Sequence, residues 1–536
     1  MNSKQLITLA ALIHTTFAAS AQNPFLPLWE YIPDGEPYVF EDPDKPGHYR
    51  AYIYGSHDSC IDQYCGLEQV VWSAPIDNLT QWRYDGISFQ STENAKGNLL
   101  HSDGRGDLLY APDVAVKKET DGTYTYYLYP NNQENGRQGM VCMSKRPDGP
   151  FKVINWSDTN PNQTNGILGF DPAVFIDDDG RVYGYWGFER SYGAELDPTT
   201  MATVKQGTNI VSDMIPGYKQ DSIFRFFEAS SMRKIEDKYV FIYSRWTREG
   251  ENELPSSNYT LAYAYSDSPL GPFSYGGTII DGRARERDPK TGRMRPTSTS
   301  GGNTHGSIFQ ANGQWWVVYH RQTGLNEYSR QAMAAPIQVK VEKGKGGKVY
   351  ISEAEYNSEG FATEGLNPLE RTAAGIACYY TGPKVSENHY PTFTHSGPYM
   401  QPTRLNLRST AGPFDLKQPH TPVVNTTDGS VLGYKYFNFS SFGKRDSGIL
   451  HMNIFPRGTA GKISVLLGSP YTEQGAILVG EMKLNGNEPQ EMTEIQIPVN
   501  RLGEKKGKQG LYFRFESQQK GQSLCDIYDF IFTKQK

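Results

Sequence analysis

Five cysteines in 536 residues are too few and too scattered for a disulfide scaffold. Cys60 and Cys65 are close enough to pair within one loop, and Cys142, Cys378 and Cys525 read as isolated buried thiols. No block of basic residues occurs and the formal net charge is −6, which argues against nucleic acid or an anionic membrane as a partner. Beyond residue 21 no stretch is apolar enough to span a bilayer. Long helical periodicity is nearly missing too. The early apolar run, Leu6 to Ala19, follows Lys4 and ends at Ala19-Ser20-Ala21, the pattern of a signal peptide over residues 1–21. A periplasmic or secreted location is expected, and no cysteine follows the cleavage site to carry a lipid anchor.

What the chain has in quantity is aromatic residues: 13% of the total, with 35 Tyr and 8 Trp. Aromatics favour strands and also stack on sugar rings. Short aromatic strands recur in a fixed form, which predicts an all-β chain. Asp113 and Asp171 each stand nine residues before the Gly of an Asp-Gly turn, at Gly122 and Gly180, and an aromatic strand follows each turn. Glu228 precedes Asp237 by nine, and His305 precedes Gly313 by eight, each again before an aromatic strand. A looser first copy starts at Asp34. Ser144-x-x-Pro147-x-Gly149-Pro150-Phe151 also returns as Ser266-x-x-Pro269-x-Gly271-Pro272-Phe273. Self-similarity of this kind signals a repeat architecture, and five such copies predict a five-bladed β-propeller.

In a propeller the first strand of each blade lines the channel. The five copies then place Asp34, Asp113, Asp171, Glu228 and His305 around one ring. Crowded carboxylates push at least one pKa upward, so one acid can donate a proton while another accepts one. Breaking a glycosidic bond with inversion needs such a pair. A zinc hydrolase is not supported, because only His305 sits in the ring and no zinc spacing appears.

Several segments resemble the family 43 glycoside hydrolases: Pro33-Asp34-Gly35-Glu36-Pro37, Tyr110-Ala111-Pro112-Asp113, Phe170-Asp171-Pro172-Ala173, Phe227-Glu228-Ala229-Ser230 and Thr304-His305-Gly306-Ser307. The resemblance covers roughly residues 25–345. It implies Asp34 as general base, Glu228 as general acid, and Asp171 as the residue that raises the pKa of Glu228 and orients it. It implies a calcium ion on the axis, held through water near His305, and no organic cofactor. Arg330 resembles a fifth-blade arginine that contacts sugar hydroxyls, and Asp113 belongs with it on the substrate side. One departure is that Gly35 follows Asp34 where the family has proline, so Glu36 competes as the base and Asp42 is a distant third. Trp72, Trp186 and Trp246 are candidates either to stack on sugar or to fill space between blades, and Trp186 is assigned to the substrate.

After residue 345 the pattern changes. The expected division is a signal peptide at 1–21, a propeller at 22–345, a linker at 346–374 and a jelly-roll-like β-sandwich at 375–536. Gly461-Lys462-Ile463-Ser464-Val465, Gly510-Leu511-Tyr512-Phe513 and Cys525-Asp526-Ile527-Tyr528 resemble family 6 carbohydrate-binding modules, which implies fold more than ligand. The expected activity is exo-acting, inverting removal of terminal α-L-arabinofuranosyl units from plant polysaccharide or its oligosaccharides. The alternatives are a β-D-xylosidase, a galactosidase or galactofuranosidase, and a non-catalytic carbohydrate-binding propeller. The sequence leaves the oligomeric state open.

Overall fold

The computed structural model describes residues 22–59, 63–298, 302–322, 327–382, 397–401 and 421–535. The segment expected to be a signal peptide, 1–21, and Cys60 lie outside the described residues. No helix among the described residues is long and apolar enough to cross a membrane.

Five antiparallel sheets follow one another along the chain, each with its strands in sequence order. Blade I holds β1 (Glu36–Glu41), β2 (Tyr49–Tyr54), β3 (Glu68–Pro75) and β4 (Arg83–Gln90). Blade II holds β5 (Asp113–Lys118), β6 (Tyr124–Tyr129), β7 (Cys142–Ser144) and β8 (Lys152–Val153). Blade III holds β9 (Ala173–Ile176), β10 (Val182–Trp186), β11 (Tyr192–Leu196) and β12 (Val211–Ser212). Blade IV holds β13 (Phe226–Ile235), β14 (Lys238–Arg245), β15 (Thr260–Ser266) and β16 (Ser274–Asp281). After a small hairpin of β17 (Glu286–Arg287) and β18 (Met294–Arg295), blade V holds β19 (Ser307–Ala311), β20 (Gln314–Arg321) and β21 (Gln331–Ile337).

The ring closes because each neighbouring pair of blades shares one apolar cluster. Tyr54 and Val71 meet Leu128 and Cys142 between blades I and II, and Tyr127 meets Val174 and Leu196 between II and III. Tyr185 meets Phe241 between III and IV, Ile242 meets Val317 and Tyr319 between IV and V, and Trp316 and Val318 meet Ile53 and Trp72 between V and I. The repeated Pro-x-Gly-Pro-Phe segments receive bolts from the preceding blade. Tyr54 donates from its hydroxyl to the Pro147 carbonyl at 2.6 Å, and Tyr185 to that of Pro269 at 2.9 Å. The N-terminal segment seals the last joint: Asn23 exchanges hydrogen bonds with the Ala334 backbone at 2.6 and 2.9 Å. At the axis a parallel bridge joins Gly35 to Gly306. A Cβ on Gly306 would stand 1.9 Å from the Val318 carbonyl oxygen, so only glycine permits this approach.

The tail forms a sandwich of two antiparallel sheets. One runs Tyr399–Met400, Val423–Val424, Cys525–Lys534, Ser447–Pro456 and Thr493–Asn500, with Thr372–Ala373 paired to Cys525–Lys534. The other runs Tyr379–Thr381, Val431–Asn438, Lys508–Ser517, Ala460–Leu467 and Ile477–Asn485. Their inner faces share one core containing Phe437, Phe513 and Phe530. Much of the stretch expected as a linker, 346–374, packs on the propeller. Val349 and Ile351 join the cluster between blades IV and V, and Phe361 touches Phe25, Trp82 and Trp316. Those side chains are apolar, and burying them outweighs the flexibility that the neighbouring glycines would give.

Candidate active site

The chain is bent into strained backbone where it carries the acids. Asp34 and Asp171 sit at φ of 59° and 48°, each two residues before an inner strand. Aspartate tolerates this left-handed region better than most residues. Glu228 is placed by other means: the β13–β14 register shifts on both sides of it, and Ala229 takes a φ of 66°. A bulge of this kind re-aims a side chain.

Asp34, Asp171, Glu228, His305 and Arg330 line one pocket of about 370 Å³ at the axis. Phe170, Phe188, Phe227, Trp246 and Tyr64 form much of its wall. Phe188 is 50% exposed and packs edge-on against Phe170 and tilted against Phe227, with ring centroids 5.3 and 5.0 Å away.

The surroundings set the acids in different charge states. Burial alone would raise the carboxyl of Asp34, but Arg330, the His305 imidazolium and the Ser56 hydroxyl together hold it below the usual carboxylate range. Arg330 reaches its Oδ1 at 2.9 Å, and Ser56 donates to its Oδ2. Glu228 lies well above its ordinary value, first because it is buried and then because Asp171 and Asp34 are nearby negative charges. Asp171 is raised to about 6, chiefly by burial, and accepts hydrogen bonds from the Ala229 amide at 3.0 Å and the Asn131 side chain at 3.1 Å. His305 stands 3.6 Å from Asp171 and 3.9 Å from Asp34. Burial works against its charge, yet Glu36, Asp171 and Asp34 together raise it to about 9, so it is cationic at neutral pH. One ionised and one protonated carboxyl therefore face the same small volume, as acid–base cleavage requires.

Other expected residues lie elsewhere. Asp113 does not line the pocket: its carboxylate accepts from the Tyr38 hydroxyl at 2.5 Å and the Val174 amide at 2.6 Å. Ala111 takes the lining place in blade II. Counting back from the hairpin turn ignores how far each inner strand slides along the axis, and in blade II the slide is enough to take the acid below the pocket. Trp186 is also outside the lining. It stacks on Tyr192 at 5.6 Å and belongs to the cluster between blades II and III, where Gly169 leaves room for its ring. Trp72 is buried and donates to Glu30 at 2.9 Å. Trp246 does line the pocket. Glu36 lies beneath the pocket on Arg233, and Asp42 lies 3.9 Å from Arg50 after β1, so neither competes with Asp34 for water in the pocket. Arg330 is 2% exposed, and two carboxylates take up most of its guanidinium. Its Nε and Nη2 grip Asp58 at 2.9 and 2.8 Å while Nη1 holds Asp34. Cys65 is a free buried thiol 3.7 Å from Arg330.

The supports of Asp34 escaped the sequence reading. His320 accepts the Asp34 amide at Nδ1, 3.2 Å away, and burial lowers its pKa to about 3, so it is neutral. Ser56 and Asp58 follow β2 in the run Gly55-Ser56-His57-Asp58-Ser59. A polar run at the end of a buried aromatic strand was the available signal.

The side chains around His305 offer a directly bound calcium ion too few of the six to eight oxygen ligands it takes. Among the described residues no group of three or more His, Cys, Asp and Glu side chains is arranged to hold a metal ion. Beneath His305 the buried carboxylate oxygen left unengaged is Oε1 of Glu36, since Arg233 and Ser231 occupy Oε2.

The profile of glycosyl hydrolases family 43 matches residues 40–343. The chain belongs to this family and is a glycoside hydrolase. The match begins after Asp34, so that residue rests on the pocket geometry and on the motif around it. The chain is 33% identical over 434 residues to a xylosidase/arabinosidase of Thermoclostridium stercorarium, covering 78% of this chain and 82% of that one. It is 27% identical to an arabinoxylan arabinofuranohydrolase of Paenibacillus polymyxa, covering 71% and 57%. Among solved structures it is similar to a family 43 arabinoxylan arabinofuranohydrolase of Bacillus subtilis in complex with cellotetraose, at 21% identity and a TM-score of 0.45, covering 97% and 99%.

Proposed function

We propose that the protein is an exo-acting, inverting hydrolase that removes terminal α-L-arabinofuranosyl units from plant polysaccharide or its oligosaccharides. The observation that carries this reading is the opposed protonation of Asp34 and Glu228 across one pocket. In the proposed reaction the protonated carboxyl of Glu228 gives its proton to the leaving oxygen. Asp34 takes a proton from water, which attacks the anomeric carbon from the far side, so one C–O bond breaks and one forms. Asp171 keeps its charge and holds the proton on Glu228. The pocket's small volume favours a single terminal sugar, and its aromatic wall offers ring faces to the sugar's C–H surfaces. The names of the relatives point to pentose units on arabinoxylan. The xylosidase/arabinosidase relative makes β-D-xylosidase the second reading. A binding-only propeller would have no use for two carboxyls held in opposite states.

The segment 1–21 supports export to the periplasm or beyond. The sandwich is proposed as a structural partner of the propeller. Arg321 of blade V donates to the Gly375 and Ala377 carbonyls, and the Tyr380 amide donates to the Thr297 carbonyl at 2.6 Å.

A panel of nitrophenyl glycosides, run with wild type and Glu228→Gln, tests the sugar and the acid together. α-L-Arabinofuranoside should be the best substrate. Early-time NMR should show the first free sugar with the inverted anomeric configuration, and retention would remove Asp34 from the base role.

A further inference from the structure

Beneath the pocket lies a second charged cluster that the reaction does not touch. Its centre is Arg233, on β13 of blade IV. The guanidinium crosses the axis: Nη2 donates to Glu36 Oε2 at 2.7 Å and to the Pro37 carbonyl at 3.1 Å in blade I, and Nε donates to the Ile308 carbonyl at 3.0 Å in blade V. Nη1 is held by Ser231 Oγ at 3.1 Å, the Met232 carbonyl at 2.9 Å and Tyr38 Oη at 3.2 Å. The same guanidinium lies 4.4 Å from the centre of the Tyr38 ring. Tyr38 passes the contact on to Asp113, whose two oxygens are taken by the Tyr38 hydroxyl and the Val174 amide.

Glu36 is the link upward. Its Oε1 stands 3.8 Å from His305 Nε2, and both atoms are buried without a hydrogen-bond partner among the described residues. The carboxylate and the imidazolium face each other there as a buried ion pair. The other face of His305 looks at Asp171 and Asp34. A chain of contacts thus runs from Arg233 through Glu36 and His305 to the acids of the pocket. A divalent cation here would find one free carboxylate oxygen and a fixed positive charge beside it.

We propose that Arg233 is the built-in axial cation of this propeller, a positioning residue that fixes His305 beneath the acids through Glu36, so that the enzyme needs no calcium. The alternative is that Arg233 only clamps three blades together. A clamp requires the shape of the side chain and would show in stability alone. An axial cation requires the charge and would show in turnover.

The test begins with metal. Full-length protein treated with EDTA and dialysed should keep its kcat and its Tm, and added calcium chloride should raise neither. One calcium ion retained per chain by elemental analysis, or activity lost on chelation and restored by calcium, would overturn the proposal. Arg233→Ala should then lower kcat about tenfold or more while KM stays close to wild type, because misplaced acids slow the chemistry and not the binding. Arg233→Lys should recover part of the loss. Unchanged kcat in Arg233→Ala would leave only the clamp, and an equal loss of kcat in Arg233→Lys would show that the charge is not what the site needs and would also overturn the proposal. If Arg233→Ala does not fold, Glu36→Gln cuts the link while keeping its shape. It should lower kcat with KM unchanged, and unaltered kcat there also overturns the proposal.

Discussion

The propeller and the sandwich are built from the same antiparallel strands but bury different things. The propeller draws Asp34, Glu36, Asp58, Asp113, Asp171 and Glu228 inside. The sandwich closes on Phe437, Phe513, Phe530 and aliphatic side chains. Its own buried ionic groups are each paired, Asp526 and Asp529 with Arg457 and Arg371, and Lys435 with Glu286 of the hairpin before blade V. Burying a charge costs several kcal/mol unless it is paired and hydrogen-bonded, so a fold does not gather six acids about an axis for stability's sake. The apolar core marks the domain that holds shape, and the charged axis marks the domain that does chemistry. It also explains why the axis needs so many cations of its own, Arg330, Arg233 and His305 among them.

The contrast can be broken most severely at Glu228. Glu228→Gln should lower turnover on natural glycosides by about 10²–10⁴-fold, with a smaller loss on substrates whose leaving group needs no proton. Equal losses on both kinds would remove Glu228 from the acid role. Next comes the sandwich. Phe513→Ala should cost about 3–5 kcal/mol of stability, read as a fall in Tm, while kcat at low temperature stays at the wild-type value. A sandwich core variant that altered kcat without altering Tm would erase the division of labour.

A finer test is Asp171→Asn, which removes a negative charge and keeps the shape. Glu228 would then lose a neighbour that raises its pKa. Activity that depends on protonated Glu228 is lost as pH rises through that pKa, so the alkaline limb should move to lower pH. A profile merely scaled down would make Asp171 a substrate holder. The smallest effect is expected at His57, buried between Glu30 at 2.9 Å and Glu68 at 3.6 Å. Burial opposes its charge, but the two glutamates raise its pKa from 6.5 to about 10. The stability it contributes is full below pH 6.5 and is lost as pH rises toward about 10. Urea midpoints across that window should fall in wild type and stay flatter in His57→Gln.

Much of this was legible beforehand. Turn spacing found the inner hairpins because a strand and its turn are local events. The Phe-Asp and Phe-Glu pairs at 170–171 and 227–228 marked two of the candidate acids, while the aromatic wall that the two Phe form beside them went unread. Asp113 misled because its turn spacing matches that of Asp171, while its height on the axis depends on strand slide. Trp186 misled because sequence does not tell a ring that faces a pocket from one that faces a neighbouring blade.

The sequence by itself determined the all-β class, the five-fold repeat, the change of pattern after residue 345, and Asp34, Asp171 and Glu228 as candidate acids. These follow from spacing and residue type, which act over a few neighbours along the chain. Only the tertiary structure decided which of those residues share a pocket, that Arg330 holds Asp34 with Asp58 behind it, and that Arg233 fills the axis below. Residues 34 and 58 are separated from residue 330 by almost the whole propeller sequence and meet only where blade V joins blade I, and charge acts through space, so their chemistry exists only once the five blades have closed.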